Sequence, residues 1–361
     1  MTNRRNFIRA GAVAGGAVVA GIAAGAATAP PARAADPVTD RLSLLSWHAA
    51  LANRRYEPAV VAVIGSSSTE GVGSAYGRGY VSVLADNLRH AFGVPGAPGG
   101  ANFVAAWGRP DRWPVLASGG RPAPPEDGWA LKGYDLHGGS LTHSFTGTSV
   151  QVWYAGGRFQ VTVDGQVSAV AGGTTWSSGP LPAGSHTIAV SGVGRINGFV
   201  TFDGDENRGI QVWNGGHGGR TTGSFASNVP AWAPRLAAIR PHLVILQLGV
   251  NDWRTGVPGP TIKRNLKTVI KAVREHSDPS FVIYGSPRVG PGRAHGFSRL
   301  TDAWQEVADE DSEVSYFDLS ARQLPPSGDN RLGLYCDDLI HMTDKGAAHT
   351  ADALTGFLSP G

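Results

Sequence analysis

The feature that most constrains this chain is a set of short strand-like runs that are apolar at almost every position. Val60-Val61-Ala62-Val63-Ile64 is the clearest, and Leu243-Val244-Ile245-Leu246 and Phe281-Val282-Ile283-Tyr284 repeat the type. A strand with one wet face alternates apolar and polar residues, whereas a continuous apolar run is buried on both faces. Ile210-Gln211-Val212-Trp213 and Val314 to Leu319 add two further strands. Between them lie helical patterns. Val81, Leu84, Leu88 and Phe92 keep helical spacing within a helix from about Gly79 to Phe92, and Leu266, Val269, Ile270 and Val273 mark a second. A last helix is expected over Asp344 to Leu358, with Thr343 as its N-cap. Strands alternating with helices predict an α/β fold whose parallel sheet is covered on both faces.

Residues 96–205 break this rhythm. This stretch holds 22 glycines and only 13 charged residues, and it shows no helical period. Phe159, Val161 and Val163 alternate, and Asp164-Gly165 follows as a hairpin turn. His186 to Val190 and Phe199 to Phe202 read as separate strands. The segment is therefore expected to be an all-β sandwich inserted into a loop of the scaffold, which is formed by 35–95 and 206–361. An insert of that kind is expected to be separable from the chemistry of its host. Trp107, Trp113, Trp129, Trp153 and Trp176 concentrate in or beside it, either as faces for sugar rings or as ordinary core.

At the N-terminus, Arg4-Arg5 precedes an uncharged Gly/Ala-rich run from Ala10 to Ala32, and Ala32-Arg33-Ala34 forms an A-x-A cleavage site. Residues 1–34 read as a twin-arginine signal peptide, implying a secreted or cell-envelope protein without a stable membrane anchor. The competing reading is an anchor, against which stand the small residues, Pro30-Pro31 and the cleavage site. The leader carries four arginines and no acid, so the +3 formal charge becomes −1 without it. Nothing in that balance points to nucleic acid or an anionic membrane. A single cysteine excludes an internal disulfide framework and a Cys-based zinc site.

Four blocks carry chemistry-bearing residues at or just beyond strand ends, the edge where open α/β sheets bind ligands, or in a loop near the C-terminus. Gly65-Ser66-Ser67-Ser68 follows the first strand and presents either a nucleophile or a helix cap. Asn214-Gly215-Gly216-His217-Gly218-Gly219-Arg220 is a loop in which backbone N–H groups can approach a ligand. Gly249-Val250-Asn251-Asp252 supplies an amide or a plain turn. Asp338-Leu339-Ile340-His341 sets a carboxylate three residues from an imidazole, close enough to orient it for proton transfer from a hydroxyl. Asp337 is an alternative acid beside Asp338. His217 is a candidate substrate contact, Trp253 packs or walls the site, and Cys336 reads as a small buried residue. No G-x-S-x-G or H-E-x-x-H is present.

In this order the blocks resemble the SGNH hydrolases, also called GDSL esterases, whose signature is Ser, Gly, Asn and His in separate blocks. The resemblance covers about 210 residues, 58–93 and 206–361. It assigns Ser67 as nucleophile, His341 as base and Asp338 as the acid, with Ser67, Gly216 and Asn251 forming the oxyanion hole. Gly65-Ser66-Ser67 departs from the family's Gly-Asp-Ser, which leaves open how the Ser67 loop is oriented. The resemblance implies a flavodoxin-like parallel sheet with helices on both faces and an ester hydrolase that needs no metal and no cofactor. The insert looks like the β-sandwich modules of some carbohydrate esterases, so the expected substrate is a carbohydrate ester, most simply an acetylated polysaccharide. A lipase or small-ester hydrolase, an acyltransferase and an inactive sugar-binding protein are the other readings.

Overall fold

The computed structural model describes residues 42–360, apart from 98, 125–126, 291–295, 324 and 327–329. The expected leader and its cleavage site, residues 1–34, lie outside the described residues. Among the described residues the chain begins with α1 (Leu45–Asn53), β1 (Ala59–Gly65), α2 (Ser67–Glu70) and α3 (Tyr80–Phe92). Seven strands follow: β2 (Gly99–Ala105), β3 (Val115–Pro122), β4 (Tyr134–Gly147), β5 (Ser149–Val163), β6 (Gln166–Ala171), β7 (Thr175–Ser177) and β8 (Gly184–Asp203). The alternation then resumes with β9 (Ile210–Gly216), α4 (Thr222–Ser227), α5 (Val229–Trp232), α6 (Leu236–Ile239), β10 (Leu243–Gln247), α7 (Val250–Thr255) and α8 (Gly259–Arg274). It ends with β11 (Ser280–Gly285), α9 (Phe297–Asp309), β12 (Val314–Asp318) and α10 (Asp344–Leu358). None of the described helices is long and apolar enough to cross a membrane.

β12, β11, β10, β1 and β9 pair in parallel in that order. Counting parallel strands along the chain, this is 2-1-3-4-5, the flavodoxin-like order, with its topological switch between β1 and β10. Every residue of β1, β10 and β11 is buried, as the unbroken apolar runs require. α8 turns Ile262, Leu266, Val269, Ile270 and Val273 inward, and Thr343 caps α10 by accepting from the Gly346 N–H at 3.2 Å. Because the strands are parallel, the loops after β1, β9 and β10 leave from one edge.

The inserted strands form a second, seven-stranded antiparallel sheet. The expected separate strands at 186–190 and 199–202 are one 20-residue strand, β8, which pairs with β4 along Gly184–Ile196 and with β2 along Gly198–Asp203. β5 runs beside β8 throughout, with register shifts around Tyr154 that let the long pair bend. Leu141, Val161, Ile188 and Val190 from one part and Val150, Val152 and Phe199 from the other fill one core. The opposite face of the β2 part points elsewhere. Phe103, Trp153, Val200 and Phe202 join the core of the parallel sheet, where Trp213 of β9 lies 5.2 Å from Trp153 and 6.4 Å from Phe103 between ring centroids.

Candidate active site

β1 ends at Gly65, and Ser67 opens the short helix α2. Ser66, where the family carries Asp, is buried and faces away from the cleft. Its N–H and Oγ both donate to Gln247 Oε1 at 3.2 Å, and Thr69 Oγ1 donates to the same oxygen at 3.0 Å. Gln247 is the last residue of β10, so one strand end gathers the turn that presents Ser67 on the next. The orientation left open by the missing Asp is thus supplied by a buried amide.

Ser67 Oγ lies 2.8 Å from His341 Nε2, and His341 Nδ1 lies 2.5 Å from Asp338 Oδ2. A carboxylate facing Nδ1 places the ring proton there, so Nε2 carries the lone pair that accepts the Ser67 hydroxyl proton. Asp338 is held in turn. Its Oδ1 accepts from the N–H groups of Ile340 at 2.9 Å and His341 at 3.0 Å. Partial burial pushes the Asp338 pKa up, but those two N–H groups and the imidazole outweigh it and hold the carboxyl below its ordinary value. The turn that allows this puts Leu339 at φ +55°, a costly conformation for a branched side chain, pinned where Gly290 N–H donates to the Leu339 carbonyl at 2.6 Å. Asp337 is exposed, and Asp338 is the acid that reaches the ring.

Asn251 and the Gly loop sit on the same edge. Asp252 is buried and accepts from Thr222 N–H at 2.8 Å and Thr222 Oγ1 at 2.5 Å, while Asn251 Nδ2 donates to the Arg220 carbonyl at 2.9 Å. The loop after β9 and the loop after β10 are therefore tied together, with Asn251 beside Gly219-Arg220. The structure does not bring Gly216 to this cleft as an open donor. Its N–H is spent on Asn214 Oδ1 at 2.9 Å, and a Cβ at this position would meet Glu70 N at 2.2 Å and Thr69 C at 2.5 Å. Gly216 lets β9 touch the backbone of α2. Three residues on, Gly219 is exposed at φ +84° with open space where a Cβ would stand, and among the described residues its N–H has no acceptor. Its positive φ is not legible in a loop of four glycines, because any of them tolerates it.

Other candidates resolve into packing. His217 is 1% exposed, donates from Nδ1 to the Ala130 carbonyl at 3.1 Å and accepts at Nε2 from Arg220 at 3.2 Å. Burial and the nearby Arg220 and Lys132 charges push its pKa down to about 3, so it stays neutral. Trp253 is buried edge-on against Phe297, and Trp129 and Trp153 are core residues, so none of these three offers a face to a sugar. Trp107, Trp113 and Trp176 keep part of their surface. Cys336 is half-buried rather than buried. A cavity of about 210 Å³ opens behind α2, lined by Glu70, Tyr76, Arg89, Phe103, Trp113 and Lys132, but not by Ser67, Asn251, Asp338 or His341.

The insert also supplies residues to the support of the cleft. Its Arg109 N–H and Lys132 ammonium both reach Glu70, the last residue of α2, at 2.8 and 2.6 Å. Sequence periodicity could not show this, since it reports which face of an element is apolar and not which distant segment covers it.

The model of the GDSL-like Lipase/Acylhydrolase family matches residues 186–349, a segment that begins within β8 and holds the Gly loop, Asn251, Asp338 and His341 but not Ser67. No curated protein matches the chain. Among solved structures, a peptidoglycan O-acetylesterase superimposes with a TM-score of 0.65 at 17% identity, covering 88% of this chain and 94% of its own. That share takes in both sheets. A psychrotrophic esterase from Pseudoalteromonas sp. matches with a TM-score of 0.34 at 18% identity, over 41% of this chain and 76% of its own. A salicylyl-acyltransferase from a tetracycline biosynthetic pathway gives 0.32 at 14%, over 60% and 80%. Residues 186–349 are thus similar to a GDSL-like lipase/acylhydrolase domain, and the chain shares the fold of a peptidoglycan O-acetylesterase across both sheets.

Proposed function

We propose that the protein is an exported esterase that removes acyl groups, acetyl most simply, from a carbohydrate polymer by a Ser-His-Asp mechanism. The observation that carries the mechanism is the continuous contact from Ser67 Oγ through His341 to Asp338, at 2.8 and 2.5 Å. Ser67 Oγ attacks the ester carbonyl carbon as its proton passes to His341 Nε2. The tetrahedral oxyanion is met by the N–H groups of Ser67 and Gly219 and by the Asn251 amide. Gly219 takes the role expected of Gly216, whose N–H is occupied. As the C–O bond breaks, the imidazolium protonates the departing sugar hydroxyl. Water, deprotonated by His341, then attacks the acyl-enzyme, and the acid leaves with Ser67 restored. Asp338 stays ionised throughout, stabilising the imidazolium.

The carbohydrate substrate is supported by the likeness to a protein described as acting on O-acetylated peptidoglycan, over nearly its whole length. Export is supported by Arg4-Arg5, the uncharged run and Ala32-Arg33-Ala34. The test is turnover by the purified protein and by Ser67→Ala on O-acetylated peptidoglycan, acetylated xylan, an acetylated monosaccharide and a long-chain ester. The expected result is acetate release from polymer and sugar, abolished by Ser67→Ala. Turnover confined to the long-chain ester would overturn the substrate class, and an active Ser67→Ala would overturn the mechanism. Changing Arg4 and Arg5 together to Lys is expected to leave folded precursor inside the cell, and unimpaired secretion would overturn that route.

A further inference from the structure

The Ser67 helix is only four residues long, and too short to hold its own orientation. Its last residue, Glu70, is buried with its side chain 0% exposed. That carboxylate reaches three separate segments. Oε1 meets Lys132 Nζ at 2.6 Å and accepts from Arg109 N–H at 2.8 Å, both from the insert. Oε2 accepts from Gly218 N–H at 2.6 Å. Lys132 is 1% exposed, and its ammonium lies over the rings of Trp107 at 5.1 Å and Trp113 at 5.4 Å. Burial pushes it down to about 8, against the pull of Glu70.

A buried ion pair is a poor device for stability alone, because desolvating both charges offsets most of their attraction, and an apolar pair of similar volume often does as well. What this pair does that an apolar pair cannot is hold two backbone N–H groups on one carboxylate. Fixing the Gly218 N–H fixes the His217–Gly218 peptide plane, from which the chain turns into Gly219, the residue with the open N–H. We propose that Glu70 and Lys132 are positioning residues, a clamp through which the insert holds the Ser67 helix and the Gly218-Gly219 loop in the relative placement that ester hydrolysis needs. The clamp rests on the Ser67 hydrolase reading. The insert then serves the chemistry itself as well as any polymer it engages.

The test uses the full chain with Glu70→Gln, Lys132→Met and the double variant. Active sites are titrated with a fluorophosphonate, kcat and KM are measured on p-nitrophenyl acetate, and Tm is taken in parallel. Each single variant leaves a buried group without its partner, so both stability and turnover are expected to fall. The double variant is the decisive one. It buries no unpaired charge, so its Tm is expected to lie above that of either single variant, below the parent's by the cost of the one N–H left without an acceptor. An amide, however, offers one acceptor oxygen where the carboxylate offered two. Its kcat per titrated site is therefore expected to stay about 100-fold down, the size of one misplaced oxyanion donor, with KM changed less than about threefold. A kcat per titrated site within about threefold of the parent would make the pair merely structural and overturn the proposal. If the double variant does not fold, Glu70→Asp decides. It keeps charge and both oxygens but is one methylene short, and turnover within about threefold of the parent would likewise overturn the clamp. Ser67→Ala, run alongside, separates the two ideas: if it retains turnover, the hydrolase reading fails whatever the clamp variants do.

Discussion

Replacing Asp338 with Asn tests the proton relay with almost no change of shape. Asp338 Oδ1 accepts two backbone N–H groups at 2.9 and 3.0 Å, and Oδ2 faces His341 Nδ1 at 2.5 Å. An Asn that keeps its oxygen on the two N–H groups turns its NH₂ toward Nδ1. The ring must then carry its proton on Nε2, which points at Ser67 Oγ and can no longer accept from it. The flipped Asn restores the working tautomer but sets an NH₂ against two N–H donors. Both bonds are exposed and water can stand in for the lost acceptor, so each is worth about 0.5–1.5 kcal/mol. The productive arrangement is therefore disfavoured by about 1–3 kcal/mol. At about 1.4 kcal/mol per factor of ten, this is a loss of roughly 5-fold to 150-fold in kcat. The assay is steady-state hydrolysis of p-nitrophenyl acetate, with near-UV circular dichroism and Tm to establish the fold. KM should change little. A loss under about threefold in a folded variant would mean that Asp338 does not set the tautomer, and the relay would be wrong.

Three further outcomes are expected. Asn251→Ala should lower kcat by about 100-fold or more with little change in KM, since its amide matters most once the oxyanion forms; an effect confined to KM would make it a ground-state contact. Gly216→Ala should lower both Tm and kcat although its N–H is kept, because its Cβ would stand 2.2 Å from Glu70 N and displace α2, and an unaltered variant would refute that close contact. On the insert, His186 Nδ1 lies 2.5 Å from Asp164 Oδ2, and this hydrogen bond raises the His186 pKa above its ordinary value. Its contribution to stability is complete below about pH 6.5 and is lost as the pH rises through the raised value. His186→Gln should flatten that part of the Tm-against-pH curve, and equal slopes in variant and parent would show that the pair contributes nothing.

Much of this protein is determined by patterns only a few residues long. Unbroken apolar runs identify strands buried on both faces because a pleated chain has only two faces to wet. Thr343 begins α10 because a hydroxyl there satisfies an orphan N–H, and Asp338 reaches His341 because three residues of turn suffice to bring them together. These are local facts of sterics and reach, and so they are written in the chain order. Which glycine keeps an open N–H is not local. It depends on Asn214 taking the Gly216 N–H and on Glu70 taking that of Gly218, and hence on where α2 docks. The same holds for β8, which reads as two strands until one long antiparallel ladder runs through Gly192, Gly194 and Gly198. It holds for Ser66, whose missing carboxylate is answered by Gln247 from another strand. It holds most of all for Lys132, one charge among several in a charge-poor insert until folding sets it against Glu70, 62 residues earlier in the chain. A buried charge or a spent N–H is defined by what lies next to it in space, and packing between distant segments decides that.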